Sequence, residues 1–555
     1  MLIFRVELQF SINRYDPSAL PRSSGCILRS LGEILRIGVD VGGTNTDAVI
    51  MDGNRVLAAT KRPTSEDVSQ GIQQAIRAVI DHRGIEPSAI DAVMIGTTHF
   101  VNAFVQAQEL APVAAIRLGF PASRSIRPFS TWPSRLRSVV MGYEAILEGG
   151  FQFDGSPITP LNEASLRQAA QEIADKGIRD IALTSIFAQI NSEQEEHAGK
   201  IFRDALPGVS VTLSNKVGRH GMLERENAAI INASLRPLAA KVAAAIGKAL
   251  AELGIAAPFF VSQNDGTLMS AAHMLDMPVL TFASGATNSL RGAYFLSGVG
   301  DALVADIGGT TTDVGVLLSG FPRQSSLHVD VGGIRTNFRM PDILSVGLGG
   351  GSRVTQSEDG IAIGPTSVGY RLTSEALVFG GSVLTATDLA VASGTLRLGD
   401  PKAVGNLDAA MVRRGVDEFH TRLADAIDRM KTGPADLPLL LVGGGASLVG
   451  QELPGIPNVL RPDHADVANA VGAAIGQVSG EVDRTYNCGE HGREAAMEDA
   501  RSRAIQGAID AGASPSSVTV IEMEDIPLQY LPGGARRIVC RAVGNLATIG
   551  AGRHG

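Results

Sequence analysis

Asp40-Val41-Gly42-Gly43-Thr44-Asn45-Thr46-Asp47 follows the apolar stretch Ile34-Leu35-Arg36-Ile37-Gly38-Val39, and a near copy of it recurs far downstream. That copy, Asp306-Ile307-Gly308-Gly309-Thr310-Thr311-Thr312-Asp313, follows Ala302-Leu303-Val304-Ala305 and leads into Val314-Gly315-Val316-Leu317-Leu318. Each reads as strand, tight turn, strand: a β-hairpin with an acid at its mouth. Glycines in the turn let backbone N–H groups approach an anion, because no Cβ stands in the way. The threonines add hydroxyl donors, and each leading aspartate is suited to hold a cation that bridges phosphate oxygens. One such turn has a plain alternative, an aspartate that bonds its own backbone. Two copies in register are hard to obtain from turn chemistry. They predict two related α/β domains with a nucleoside triphosphate clamped between them.

The bulk composition agrees. A chain of 555 residues exceeds one hydrophobic core and suggests two or three domains. Its 64 glycines stand well above the usual share of about 7 %, as expected of many close backbone approaches. A formal charge of −9 speaks against a nucleic-acid partner. Cys26, Cys488 and Cys540 have neither disulfide arithmetic nor zinc spacing and fit a reducing cytoplasm. The sequence shows no apolar run near the roughly 18–20 residues of a membrane helix, so no membrane association is expected. Residues 1–33 read as a disordered extension or a start placed too far upstream, with the folded chain beginning near Ile34.

Beyond the first hairpin, 65–81 has a helical pattern with Val68, Ile72, Ala75, Ile76 and Val79 on one face. Ala92-Val93-Met94-Ile95 reads as a buried strand and ends in Gly96-Thr97-Thr98-His99-Phe100-Val101-Asn102. A polar cluster past the C-terminal end of a parallel strand is where α/β sheets place ligands, which makes Thr97, Thr98, His99 and Asn102 candidate substrate residues. His99 has a structural imidazole as its alternative. An αβ unit follows over 165–183, then a long helix over 222–253 that Pro237 is expected to kink. Position alone leaves open whether Glu224, Arg225 and Glu226 point inward. Pro258-Phe259-Phe260-Val261 again leads into a polar turn, Ser262-Gln263-Asn264-Asp265-Gly266-Thr267, which adds Asp265 to the substrate candidates. Ser284-Gly285-Ala286 and Asn288 are expected to precede a helix. Two more glycine turns, Gly349-Gly350-Gly351-Ser352 and Gly443-Gly444-Gly445, are either anion-binding loops or strand-to-helix corners. The last segment reads as a helix and two strands, 517–522 and 536–542, joined through Pro527 and Pro532-Gly533-Gly534: a small αββ appendage.

A duplicated acidic hairpin with a late strand-Gly-Gly-Gly turn resembles the actin-like (ribonuclease H-like) ATPase superfamily of chaperones and sugar kinases. A larger set of landmarks is similar to the hydantoinase/oxoprolinase family. It comprises both hairpins, Gly96-Thr97-Thr98 with Asn102-Ala103, Gly349-Gly350-Gly351-Ser352, Gly364-Pro365 with Ser367, Thr385 with Thr387-Asp388, and Ile526-Pro527-Leu528 with Tyr530-Leu531-Pro532. The landmarks run from about residue 36 to 546. The chain departs from the family pattern at His99-Phe100, after Ser284-Gly285, and after Tyr370, and these differences cluster where substrate would sit.

The resemblance implies an α/β fold of duplicated actin-like ATPase domains around an interdomain nucleotide cleft, over 34–213 and 214–494, with the αββ region over 495–555. It implies ATP and Mg²⁺ as cofactors and the ATP-dependent opening of a cyclic amide such as a hydantoin or 5-oxoproline. Asp40 and Asp306 are then the catalytic and metal-holding acids. Asp313 is a further candidate metal ligand, although it and Asp47 read first as turn-locking groups. Gly42, Gly43, Thr44, Asn45, Thr46, Gly308, Gly309, Thr310 and Thr311 would cradle phosphates, and Gly443, Gly444 and Gly445 would lie against adenosine. A separately encoded second subunit and an oligomer fit the same resemblance. A carboxylase ATPase subunit, a sugar kinase and an ATP-gated binding protein use the same hairpins. The kinase reading lacks its usual Glu-x-Gly-His motif, and no His-x-His pair supports a zinc-dependent hydantoinase.

Overall fold

The computed structural model describes residues 34–547, apart from 65–67, 326–327, 358–359, 434–435, 451 and 530–533. The readings of residues 1–33, of Tyr530-Leu531-Pro532 and of Gly533 therefore lie outside the described residues.

Strand Leu35–Val41 is buried at nearly every position, the pattern of a central strand covered on both faces. It pairs antiparallel with Asn45–Asp52 and parallel with Ala92–Thr97. From these grows a nine-stranded sheet whose order is Thr519–Pro527, Ala535–Gly544, Gln477–Asn487, Thr267–Ser270, Phe259–Ser262, Ala92–Thr97, Leu35–Val41, Asn45–Asp52 and Arg55–Pro63. A second sheet is built on the other hairpin, Ala302–Ile307 with Thr312–Leu318, and adds Leu439–Val442 parallel to the former. A third, four-stranded parallel sheet runs Met141–Glu148, Val113–Phe120, Asp180–Ser185, Ser210–Leu213.

The C-terminal segment does contain a helix, Arg493–Asp510, and two strands. It is not an appendage. Both strands extend the first sheet through ten consecutive pairs between Gln477–Asn487 and Ala535–Gly544. Ala496, Ala500, Ala504 and Ala508 recur every fourth residue and give the helix a flat buried face. Gly480 completes the fit, since a Cβ there would lie 2.1 Å from the Ala504 carbonyl oxygen.

The helix Met222–Glu252 continues through Pro237. It is the one described helix long and apolar enough to cross a membrane by length and composition, but 61% of its apolar window is buried inside the fold. Arg225 and Glu226 both point inward. Glu226 accepts two bonds from Arg117, at 2.5 and 2.7 Å, and Arg225 donates to Ser214 Oγ and to the Ser185 carbonyl. These pairs tie the long helix to the third sheet.

Two helices, Ser284–Ser297 and Ala468–Ala474, pack against both hairpin sheets. Their backbones cross closely: a Cβ on Gly292 would fall 1.8 Å from the Ala468 carbonyl oxygen, and one on Gly472 would fall 1.9 Å from that of Asn288. The first of them begins at Ser284, so Gly285 and Asn288 lie within the helix and do not precede it.

Candidate functional site

The two hairpins share one register. Asp40 faces Asp47 across the first, and Asp306 faces Asp313 across the second. Each turn closes with the same bond, Gly42 N–H to the Asn45 carbonyl at 3.0 Å and Gly308 N–H to the Thr311 carbonyl at 2.9 Å. The turns also face each other, for a Cβ on Gly309 would sit 3.2 Å from Thr44 Cγ2. Among the described residues, the amides of Gly43, Thr44, Gly309 and Thr310 have no protein acceptor. Four unpaired N–H groups on two opposed glycine turns form a cradle for an anion, and this is the feature that fits a phosphate chain.

Around the cradle lie four carboxylates. Burial pushes the Asp40 carboxyl up to about 6; hydrogen bonds from Asn288 and Asn469 oppose the shift, and the charges of Asp47 and Asp306 add to it. Asn288 Nδ2 donates to Asp40 Oδ1 and Asn469 Nδ2 to Asp40 Oδ2, each at 3.1 Å. Burial likewise raises Asp306, against a 2.5 Å bond from Ser289 Oγ and the charge of Lys61. Asp313 is pushed up to about 6 by burial although Ser345 Oγ donates to it. Asp47 is bonded by Lys61 Nζ and by Asn469. Carboxylates stripped of water and crowded together gain most when a cation joins them. Among the described residues no three or more His, Cys, Asp or Glu are arranged to hold a metal ion. A Mg²⁺ here would thus be held largely by phosphate oxygens and water, with Asp40 or Asp306 beside it.

Each acid requires a glycine at the end of the neighbouring parallel strand, Gly96 within Ala92–Thr97 and Gly443 just after Leu439–Val442. A Cβ on Gly96 would meet Asp40 Oδ1 at 2.2 Å, and one on Gly443 would meet Asp306 Oδ1 at 2.1 Å. Gly445 N–H donates to the Ile307 carbonyl, and Gly350 and Gly351 donate to Gly308 and Gly309. Both late glycine turns are therefore packed against the second hairpin. Thr46 is fully buried with its hydroxyl 3.4 Å from that of Thr64, whose Oγ1 donates to the Gly42 carbonyl. Thr46 thus faces the support of the turn, while Thr44, Asn45 and Thr311 stand on the turns themselves.

Thr97 accepts from His99 N–H, Thr98 donates to the Val41 carbonyl, and Asn102 donates to Thr98, so these residues shape the start of the helix His99–Gln106 beside the first hairpin. Gly285 joins them: a Cβ there would lie 3.4 Å from Thr98 and 3.7 Å from Asp40. Asp265 is differently engaged. Its carboxylate accepts from Thr267 and, at 3.2 Å, from Arg541, and among the described residues it makes no hydrogen bond or ion pair to either hairpin.

Lys61, Ser289 and Asn469 escaped the sequence reading, which named Asn288 only as a residue ahead of a helix. Asn288 stood beside a stretch already singled out, and Asn469 is the lone polar residue in the apolar helix Ala468–Ala474, which is a usable signal. Lys61, on the third strand, carried none.

Family profiles match around both hairpins. Residues 36–206 match the hydantoinase/oxoprolinase N-terminal region, and residues 225–430 match the hydantoinase/oxoprolinase region proper. The chain belongs to the hydantoinase/oxoprolinase family. It is 25% identical over 440 residues to the caprolactamase subunit alpha of Pseudomonas jessenii, covering 75% of this chain and 63% of that protein. It thus spans less than two thirds of that relative. It is 26% identical over 505 residues to the acetophenone carboxylase gamma subunit of Aromatoleum aromaticum, covering 79% of this chain and 67% of that one. Among solved structures, the ATP-dependent caprolactamase of Pseudomonas jessenii superposes with a TM-score of 0.75 at 19% identity, over 92% of this chain and 88% of that one. Nucleotide-free acetone carboxylase superposes with a TM-score of 0.64 at 16% identity, over 93% and 88%. These likenesses establish a shared mixed α/β fold.

Proposed function

We propose that this chain is the ATP-hydrolysing component of an enzyme that opens a cyclic amide, such as a hydantoin or 5-oxoproline, through a phosphorylated amide oxygen. The observation that carries the reading is the opposed pair of hairpins with unpaired amides and an acid at the mouth of each, Asp40 buried and Asp306 partly so. A five-membered lactam is a stable amide with a poor leaving group. Transfer of the terminal phosphoryl group to its oxygen makes the ring carbon open to water. Once water has added, the ring C–N bond breaks with the nitrogen keeping the electron pair and taking a proton, and a second water hydrolyses the acyl phosphate to carboxylate and phosphate.

In this proposal the turns Gly42-Gly43-Thr44 and Gly308-Gly309-Thr310 hold the phosphates, with Asn45 and Thr311 at equivalent places on the two turns. Mg²⁺, held beside Asp40 or Asp306, would neutralise charge on the phosphate oxygens. Asn288 and Ser289 fix the carboxylates of Asp40 and Asp306, and the remaining acid is free to orient the attacking water. The amide ring is assigned to the space bounded by Thr98, His99 and Gly285, next to Asp40. Asp265 serves the fold in this reading. A second subunit is proposed as well, because the two relatives named above are themselves called subunits.

The carboxylase names among the relatives favour one other reading, phosphorylation of bicarbonate or an enolate at the same ATP site. The test is ADP release from Mg·ATP, alone and with hydantoin, N-methylhydantoin, 5-oxoproline or bicarbonate added singly. Ring-opened product in step with ADP supports the amidase. Stimulation by bicarbonate alone replaces it with the carboxylase.

A further inference from the structure

Lys61 is a basic side chain beside the first hairpin. It lies on strand Arg55–Pro63, directly opposite Asp47 in the register. Its Nζ donates to both Asp47 oxygens, at 2.7 and 2.6 Å, yet the lysine side chain keeps 29% of its exposure while that of Asp47 keeps 2%. Among the described residues it is the only lysine or arginine within ion-pair distance of Asp40, Asp47, Asp306 or Asp313. The lysine also reaches the other half of the molecule. A Cβ built on Gly444 would meet Lys61 Cε at 3.7 Å and Nζ at 4.0 Å, and nothing else within 4 Å.

A lysine that served only to neutralise Asp47 would have no reason to stand at the rim against a glycine turn of the opposite half. An ammonium has three donors, and Asp47 engages two of them. Asp47 has a second partner in Asn469, at 2.8 Å, so it is not stranded if Lys61 turns away. A triphosphate entering between four carboxylates needs cationic charge, and this is the cation within reach.

We propose that Lys61 is the residue that reads the terminal phosphate: with a triphosphate in the cradle its ammonium moves from Asp47 to the γ-phosphate. This rests on the ATP reading above. In the transfer, the bond from the γ-phosphorus to the ADP oxygen breaks and ADP leaves with the electron pair. A bond from phosphorus to the acceptor oxygen forms, and Lys61 keeps its proton throughout. The lysine thereby distinguishes ATP from ADP and supports the phosphoryl group as it moves.

The test uses the full chain with Lys61→Met, Lys61→Arg and the double variant Asp47→Asn/Lys61→Met, which removes the buried charge that the single change would strand. Calorimetric titration with Mg·ADP and with the β,γ-imido analogue of ATP gives the primary readout. Lys61→Met and the double variant should weaken the imido analogue about 10-fold or more, the worth of one charge-assisted bond, and ADP by less than about 3-fold. ATP turnover should fall about 100-fold, with partial recovery in Lys61→Arg. Equal loss for both nucleotides, or no loss, overturns the proposal and leaves Lys61 a structural partner of Asp47. A wild-type chain that binds neither nucleotide overturns the ATP reading itself, a result distinct from the first.

Discussion

Substituting Gly96 by alanine tests whether Asp40 is tied to the chemistry, because the perturbation acts on Asp40 without changing it. The added methyl would sit 2.2 Å from Asp40 Oδ1 and 2.2 Å from Asn288 Nδ2. Ordinary contact begins near 3.4 Å, so both groups must retreat by about 1 Å. Asp40 cannot retreat along its strand, which is paired on both sides, so the carboxylate must rotate away and loosen the Asn288 bond. A displacement of about 1 Å at a reacting centre costs on the order of 100-fold in rate. Overpacking of this kind costs about 1–3 kcal/mol of stability, which a large domain survives. The assay is steady-state ATP turnover beside urea unfolding, with Gly247→Ala as control. Gly247 lies exposed in the long helix with open space around its Cβ, so alanine there should add about 0.5–1 kcal/mol and leave turnover unchanged. A folded Gly96→Ala protein with wild-type turnover would refute the role given to Asp40.

Asp306→Asn, which keeps the shape and removes the charge, should lower ATP turnover at least about 100-fold; retained turnover would sink the assignment of the second hairpin. Glu226→Ala strands the fully buried Arg117 guanidinium and should destabilise by about 3–5 kcal/mol in urea unfolding, whereas a loss below about 1 kcal/mol would show that the carbonyls of Ser123 and Ile126 satisfy Arg117 alone. Burial pushes the Asp180 carboxyl up to about 6, against the charge of Arg236, so its ionised form costs stability above that pH and the cost disappears as pH falls toward the unfolded value near 4. Asp180→Asn should therefore stabilise by about 1–2 kcal/mol at pH 7.5 and by progressively less toward pH 4.5; a pH-independent difference would refute the burial argument.

What could be read from the chain was what is local. The hairpins are eight-residue strings whose turn, register and acid positions are set within themselves, and their duplication is what led to the expectation of two related α/β domains. The strand Ala92–Thr97 and its polar end were legible for the same reason, as an apolar run closed by Gly96-Thr97-Thr98. Long-range pairing was not legible. Nothing in 519–544 announces that its strands pair onto Gln477–Asn487, because a strand's partner is chosen by the whole sheet and not by its own alternation. The contacts that position the acids are longer still: Asn469 bonds Asp40 across 429 positions and Asn288 across 248. The glycine turns had two readings in sequence, and the packing distances supply a steric reason for them. Gly443 and Gly349 approach Asp306 and the second turn too closely to carry a side chain.

One helix links two hairpins from distant parts of the chain. Asn288 and Ser289 are consecutive residues of Ser284–Ser297, yet the first bonds Asp40 and the second bonds Asp306. Consecutive helical positions are about 100° apart, so the helix must lie between the two acids and present a different face to each. The second helix, Ala468–Ala474, is locked to it by the Gly292 and Gly472 crossing and carries Asn469, which joins Asp40 to Asp47. Any approach of one hairpin toward the other must therefore slide or rotate this helix pair, whose backbones are already in contact. A movement of this helix pair would therefore shift the hydrogen-bond partners of both carboxylates together, because Asn288 and Ser289 ride on the same helix.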